Sequence, residues 1–171
     1  EKAFAALSAK LGLPREQIEE LAVPAYQLDA SGKRRETLGD YTAEIIVSGA
    51  DAVLQWSDLK GKLLKSVPAR VKVEHPDELQ DLKQSHKDIQ AMLPTQRDRI
   101  DGLFVQQASW RCDVWRERYA EHPLVGTISR RLIWCVDGTP ALLTDGTLTD
   151  VTGQAIRHGR TAEVTLWHPA G

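Results

Sequence analysis

The sequence predicts an α+β fold in which antiparallel β-meanders pack with a central set of helices. Apolar and polar residues alternate over residues 26–68 and again over 132–168, whereas apolar residues recur every three or four positions over about 76–130. The 171 residues, 42% of them hydrophobic, are enough to build layers of sheet and helix around one core. We therefore expect residues 1–171 to form a single domain. Because the chain begins without methionine, we expect this domain to be excised from a larger multidomain protein.

Two short helices are predicted at the N-terminus. Phe4, Leu7 and Leu11 have helical spacing, and the glycine that follows is typical of a helix end. Pro14 suits the first turn of a second helix, which Pro24 ends.

Residues 26–68 predict a first meander of about four strands. Tyr26 and Leu28 alternate with polar neighbours, and the segments YTAEIIV and AVLQWS are rich in strand-forming residues. The segments DASGK, SGAD and DLKG between them are typical of turns. Links this short indicate an antiparallel sheet.

Residues 76–130 predict the central helices. The first carries one apolar stripe, and we expect Pro94 to kink or break it, with Thr95 capping a new helix. The segment SWRCDVWRERYAEHP predicts a further helix, and PLVGTISRR a short one after it. The stripe consists of Leu79, Leu82, His86, Ile89 and Leu93.

Three of the five histidines precede a proline: His75, His122 and His168. Proline fits the first position of a helix and holds the residue before it extended. We therefore interpret His75 and His122 as residues that lie at the start of a helix. His168 follows a strand instead, so a structural role and a place in a cleft both stay open.

The C-terminal part predicts a second meander. The segments RLIWCV, TPALLT and TLTDV are separated by Asp137-Gly138 and Asp145-Gly146, which are typical of tight hairpin turns. The segment AEVTLWHP predicts a final strand.

Composition excludes several classes of function. A net charge of −2 gives no overall field for polyanions, and no apolar run approaches the ~18 residues of a membrane span. Cys112 and Cys135 lack partners at metal-ligand spacing, so we interpret both as small buried apolar groups. We expect no metal, no cofactor and a cytoplasmic location.

Four segments follow one another in the chain: GKLLKSVP, RRLIWCVDG, DGTLTDV and VTLWHP. In this order they resemble a bacterial domain of unknown function that occurs in molybdate-metabolism-regulator-like (MolR-type) proteins, often beside a WGR module. The resemblance covers about residues 20–170. It implies a bacterial, intracellular, multidomain parent and no established reaction. The segment VQQASW is neutral here where the family is more basic, which puts a polyanion-binding role in doubt. The matching residues are Gly39, Gly61, Lys65, Pro68, Trp110, His122, Pro123, Leu132, Trp134, Gly146, His168 and Pro169.

The leading hypothesis is an interaction or regulatory module that docks to neighbouring domains or to a protein partner. It rests on the lack of a nucleophile elbow, a phosphate loop or a dinucleotide motif. A first alternative is nucleic-acid binding, because Lys60 and Lys62 alternate on one predicted strand and would form a basic edge. A second is an unrecognised enzyme that uses His122 and His168. The candidate binding residues are Lys60, Lys62, Lys65, Arg70, Trp110, His122, Trp134 and His168.

Overall fold

A computed structural model describes residues 10, 12 and 15–167 of the chain, and it has the predicted α+β class. The first predicted N-terminal helix therefore lies largely outside the described residues, whereas a helix at Arg15–Leu21 confirms the second. The helices are α1 (Arg15–Leu21), α2 (Ala69–Glu74), α3 (Pro76–Gln106), α4 (Cys112–Trp115), a π-helical segment (Arg116–Ala120) and α5 (Val125–Ser129). The strands are β1 (Lys33–Leu38), β2 (Tyr41–Ser48), β3 (Asp51–Asp58), β4 (Leu63–Leu64), β5 (Ser109–Arg111), β6 (Trp134–Val136), β7 (Thr139–Thr144), β8 (Thr147–Thr149) and β9 (Glu163–Leu166).

The first sheet confirms the predicted four-stranded antiparallel meander, with the order β1-β2-β3-β4. Alternate residues of β2 face the core, including Ala43 and Ile45, which are both fully buried. The expected strand at Tyr26 is wrong. Tyr26 and Gln27 have positive φ angles of 52° and 58°, so the chain turns there and no strand passes through them.

The second sheet has the order β5-β9-β6-β7-β8, which is only partly a meander. Its two tight turns are confirmed, since Asp137-Gly138 and Asp145-Gly146 have positive φ at both residues. The last strand, β9, lies between β5 and β6. The segment Ser109–Arg111, expected to be helical, is strand β5 because it pairs with Glu163–Leu166, a partner far away in the sequence.

Helix α3 begins at Pro76, as predicted, but His75 before it has φ −134° and ψ 53°, so it does not adopt the expected extended conformation. A kink or a break was predicted at Pro94. The break is wrong, because α3 continues to Gln106, and Thr95 therefore caps no new helix. Proline removes one backbone hydrogen bond from a helix. On either side of it Leu93 and Ile100 are buried on the same apolar stripe, and this packing keeps the helix continuous.

One cluster of buried hydrophobic residues joins the two sheets, running from Val23 to Val164. Helix α3 contacts β3 of the first sheet, and α5 contacts both α3 and β2. The largest fully buried side chains are Trp115 and Trp134. None of the described helices is long and apolar enough to cross a bilayer.

Three links between elements share one construction, which we call the aspartate-anchored turn: residues 29–33, 58–62 and 150–154. The aspartate at the first position accepts the backbone N–H groups of the third and fifth residues at 2.8–3.0 Å. The fourth residue is a glycine with φ between 77° and 84°. The carboxylate and the glycine together fix the backbone of each turn.

Candidate binding cleft

A cleft of about 850 Å³ lies between α1, the second half of α3 and strand β5. Helix α1 contributes Gln17 and Glu20, which lie three residues apart and therefore on one face. Strand β5 contributes Ser109 and Trp110, and Tyr119 of the π-helical segment also lines the cleft. Three separate stretches of sequence therefore build one site.

Helix α3 forms the long wall of the cleft. Its lining residues recur every three or four positions from Thr95 through Asp98, Gly102 and Gln106. Gly102 carries no side chain, so the middle of this wall stays open. The wall runs from Thr95 to Gln106, eleven residue steps along the helix, which is about 16 Å at the rise of an α-helix.

Aromatic rings pack behind the cleft. The Trp110 ring lies 4.8 Å from the Tyr119 ring, and Trp134 packs 5.3 Å from Trp115 behind them. Trp110 is half-buried and lines the cleft, and its role as a contact residue stays a prediction. Trp134 is fully buried, and its Nε1–H donates to the Ser129 carbonyl at 3.0 Å. Trp134 therefore belongs to the core and presents no surface to a partner.

Charged groups lie beneath the aromatic rings. Arg99 Nη1 donates to the Tyr119 hydroxyl at 3.0 Å, and Arg118 Nη1 donates to Glu20 Oε2 at 2.7 Å. Glu20 Oε1 and Arg99 Nη2 are buried and have no hydrogen-bond partner within the described part of the chain. Buried charged groups with free hydrogen-bonding capacity are typical of binding sites, because making those bonds recovers the energy lost on burial.

Tyr119 stays a neutral phenol in this arrangement. Burial raises the pKa of Tyr119 far above its ordinary value, and the nearby Arg99 charge lowers it by less. Its hydroxyl group therefore keeps its proton at every ordinary pH, while its oxygen accepts the Arg99 hydrogen bond. Two neighbouring residues of the π-helical segment bond to side chains that line the cleft. Arg118 bonds to Glu20, and Tyr119 bonds to Arg99. Such π-helical insertions occur frequently at functional sites.

His122 lies outside the cleft and has both ring nitrogens engaged. Nδ1 accepts the backbone N–H groups of Leu124 and Val125, each at 3.2 Å, so the ring caps the start of α5. Nε2 lies 3.2 Å from the Val23 carbonyl and donates to it in this tautomer. The helix begins at Val125, two residues after Pro123. His168, its predicted companion, lies outside the described residues, so the histidine-based enzyme stays a prediction.

The capping role of His122 predicts a pH dependence of stability. Burial lowers the pKa of His122 below its ordinary value of 6.5, and Arg99 adds to this while the Val23 carbonyl opposes it. The unfolded chain therefore gains a proton before the folded chain does. Stability is full above pH 6.5 and falls as the pH drops from there toward the lowered pKa, by at most about 1.4 kcal/mol per pH unit. Urea denaturation at a series of pH values measures this loss.

The control for this prediction is His122→Asn, which keeps a capping acceptor but does not titrate. Other groups titrate equally in both proteins. The difference between the free energies of unfolding of wild type and variant, measured at each pH, therefore reports on His122 alone. The same pH profile in both proteins would contradict the prediction.

The prediction that Lys60 and Lys62 lie on a strand and form its basic edge is wrong. Lys60 lies in an aspartate-anchored turn and Lys62 precedes β4, because Asp58 Oδ1 accepts both of their backbone N–H groups. Lys65 lies in a bend after β4. Arg70 lies on α2 and is paired with Asp40 at 2.9 Å and with Glu74 at 3.1 Å. Nucleic-acid binding by these residues stays a prediction.

Within the described ranges, no three His, Cys, Asp or Glu side chains come close enough to hold a metal ion. Cys112 is buried, and burial raises the pKa of its thiol, so it is a poor nucleophile. Its Sγ lies 3.4 Å from His158 Nδ1. Cys135 is half-buried and forms no disulfide.

The charged residues of the cleft escape prediction from the sequence. Glu20 lies in a run of polar helix residues, and Arg99 lies one position from the apolar stripe of α3. Tyr119 shares a helical face with Trp115, which predicts only a core position. A weak signal is Gln96, a polar residue at a stripe position that is buried and accepts from Arg99 Nε at 2.9 Å.

Comparison with models of protein families matches residues 61–171, more than half of the chain, to the domain of unknown function DUF4132. The matched region contains α3, the second sheet and most of the cleft, while strands β1, β2 and β3 precede it. No curated protein and no solved structure matches the chain.

Proposed function

The chain belongs to the DUF4132 family, and from that premise we propose that it is an interaction module whose cleft docks an extended segment of a partner polypeptide. The observation that carries the proposal is the position of β5. Among the described strands β5 is at the edge of the second sheet, with β9 on one side, and two of its residues line the cleft. A sheet edge inside a cleft can pair with an incoming strand.

The dimensions of the cleft favour a polypeptide over a small molecule. Its α3 wall is about 16 Å long, which matches about five residues of extended chain. Main-chain hydrogen bonds to β5 would supply affinity that does not depend on sequence. Side chains of the segment would then select for particular partners.

Trp110 is the expected anchor of the bound segment. Tryptophan is enriched among the residues that dominate binding energy at interfaces, and Trp110 is held against Tyr119 at 4.8 Å. The ring therefore loses little conformational freedom when a partner covers it. Arg99 and Glu20 lie beside it and offer a donor and an acceptor to a bound polar group.

We further propose that the chain is one domain of a larger bacterial, intracellular protein, as the MolR-type resemblance implies. The continuous core from Val23 to Val164 supports a single domain. The docked segment would come from another domain of that protein or from a separate partner. In either case a regulatory role would follow from competition for the cleft.

Site-specific photo-crosslinking tests the proposal. A benzophenone amino acid replaces Ser109, which is exposed and lines the cleft, and the protein is irradiated in cells that express it with its natural neighbours. We expect crosslinks to one defined polypeptide region. We also expect Trp110→Ala to reduce their yield by roughly tenfold, the effect of losing an interface anchor.

The matched control carries the same amino acid at Val151, which is 78% exposed and does not line the cleft. Crosslinks that are identical at the two positions, or that survive Trp110→Ala undiminished, would refute cleft docking.

A further inference from the structure

We propose a second docking surface, distinct from the cleft, at the tip formed by residues 58–65, and we infer that it binds an acidic protein segment with apolar side chains. The tip joins β3 to β4 at one end of the first sheet. It combines leucines and lysines that face solvent on a fixed backbone.

The backbone of the tip is already fixed before any partner binds. Besides the Asp58 side-chain bonds, Gly61 N–H donates to the Asp58 carbonyl at 2.9 Å, and Asp58 N–H donates to the Lys62 carbonyl at 3.1 Å. The side chains of the tip are therefore displayed in one arrangement. A partner that binds here does not have to order a loop.

Two leucines at the tip are exposed without a structural reason. Leu59 is 77% exposed and Leu63 is 63% exposed, whereas the neighbouring Leu64 packs against the core. The aspartate-anchored turn does not require leucine at its second position, because Ala30 and Val151 occupy that position in the other two turns. The leucines are therefore available to an apolar partner surface.

Three lysines surround these leucines. Lys60, Lys62 and Lys65 are exposed, and no ion pair found among the described residues includes any of them. Nearby Arg70, in contrast, is paired with two carboxylates. The tip therefore carries a local positive charge on a chain whose overall charge is −2.

Protection of a sheet edge explains the lysines but not the leucines. Charged side chains on edge strands prevent unwanted pairing, whereas exposed leucines beside a short edge strand promote association. Both residue types together fit a surface that selects a partner. The other two turns lack this combination, since the Val151 turn has the neutral residues Thr152 and Gln154 in the corresponding positions.

An acidic protein segment fits the tip better than nucleic acid or a membrane does. Single-stranded nucleic acid would stack its bases on exposed aromatic rings, and Trp56, the tryptophan nearest in sequence, is only 3% exposed. A flat anionic membrane would also meet Asp40, which lies at the same end of the sheet because Tyr41 pairs with Asp58. Asp40 and Glu74 share one cation, Arg70, so this group keeps a net negative charge. A peptide can contact the leucines and lysines alone.

Selection from a library of random peptides displayed on phage tests this proposal with the complete chain. We expect enriched peptides to combine Asp or Glu with apolar residues. Measured by fluorescence anisotropy, a selected peptide should bind the variant L59S/L63S at least about tenfold more weakly, since burial of two leucines is lost. It should also bind K60Q/K62Q/K65Q more weakly, and this lysine contribution should shrink as salt rises.

The control V151S changes an equally exposed residue at the same position of a matched turn and should bind like the wild type. Trp110→Ala, which alters the cleft, should also leave this binding unchanged. The proposal is overturned if no acidic peptides are enriched, or if L59S/L63S binds them as the wild type does. It is also overturned if single-stranded DNA or phosphatidylserine vesicles bind the tip as tightly as the selected peptides.

Discussion

Replacing Trp134 with alanine is expected to lower the free energy of unfolding by about 3–5 kcal/mol, the range for losing a large buried aromatic side chain. Trp134 is fully buried and is in ring contact with Trp110, Trp115 and Tyr119. A smaller side chain would leave a cavity among rings from β5, α4 and the π-helical segment. Chemical denaturation followed by far-ultraviolet circular dichroism measures the loss.

Two further variants sharpen this test. Trp134→Phe keeps most of the apolar contact but removes the hydrogen bond to the Ser129 carbonyl, so its loss should be clearly smaller. Trp110→Ala removes a ring that is only half-buried, so it should also cost less than Trp134→Ala. If Trp110→Ala proved the more destabilising, the assignment of Trp134 to the core and Trp110 to the cleft would be wrong.

Features that depend on local chemistry were predictable from the sequence. Pro76 starts a helix because proline fixes its own φ angle at a helical value. Asp137-Gly138 and Asp145-Gly146 form tight turns because glycine readily adopts the positive φ angles that these turns need. The first meander followed from alternation along β2 and β3, each of which pairs with a strand close in sequence.

Features that depend on distant partners were not predictable. Ser109–Arg111 became a strand only because β9 pairs with it, and Pro94 stayed within α3 because its neighbours pack on a continuous core. The cleft is the extreme case. Glu20 and Arg118 are 98 residues apart in the sequence, and no periodicity indicates that their side chains meet.

The three aspartate-anchored turns share a sequence signature, which is visible when their segments are compared. Each has Asp at the first position and Gly at the fourth, in DASGK, DLKGK and DVTGQ. In the second of these, the turn was predicted, but the lysines were assigned to a strand. The capture of two backbone N–H groups by Asp58 is what excludes them from the sheet.

The turns also allow backbone strain to be separated from side-chain collision. Gly61 has φ 77°, and nothing lies within 4 Å of the position that a Cβ would occupy. Gly61→Ala should therefore cost about 1 kcal/mol, the effect of a side chain at positive φ. Gly32 has a similar φ of 81°, but a Cβ at this position would collide with Thr127 Cγ2 on α5 and lie 3.3 Å from the Val47 carbonyl oxygen.

Gly32→Ala should therefore cost about 2–4 kcal/mol, because an overpacked contact adds to the same backbone strain. The measurement is the free energy of unfolding of both variants in urea. Thr127→Ser removes the Cγ2 atom, so a double-mutant cycle with Gly32→Ala should recover part of the difference between the two glycines. If Gly32→Ala and Gly61→Ala lowered the free energy of unfolding equally, the turn at residues 29–33 would not pack against α5. The contact between the first sheet and the helix that His122 caps would then be wrong.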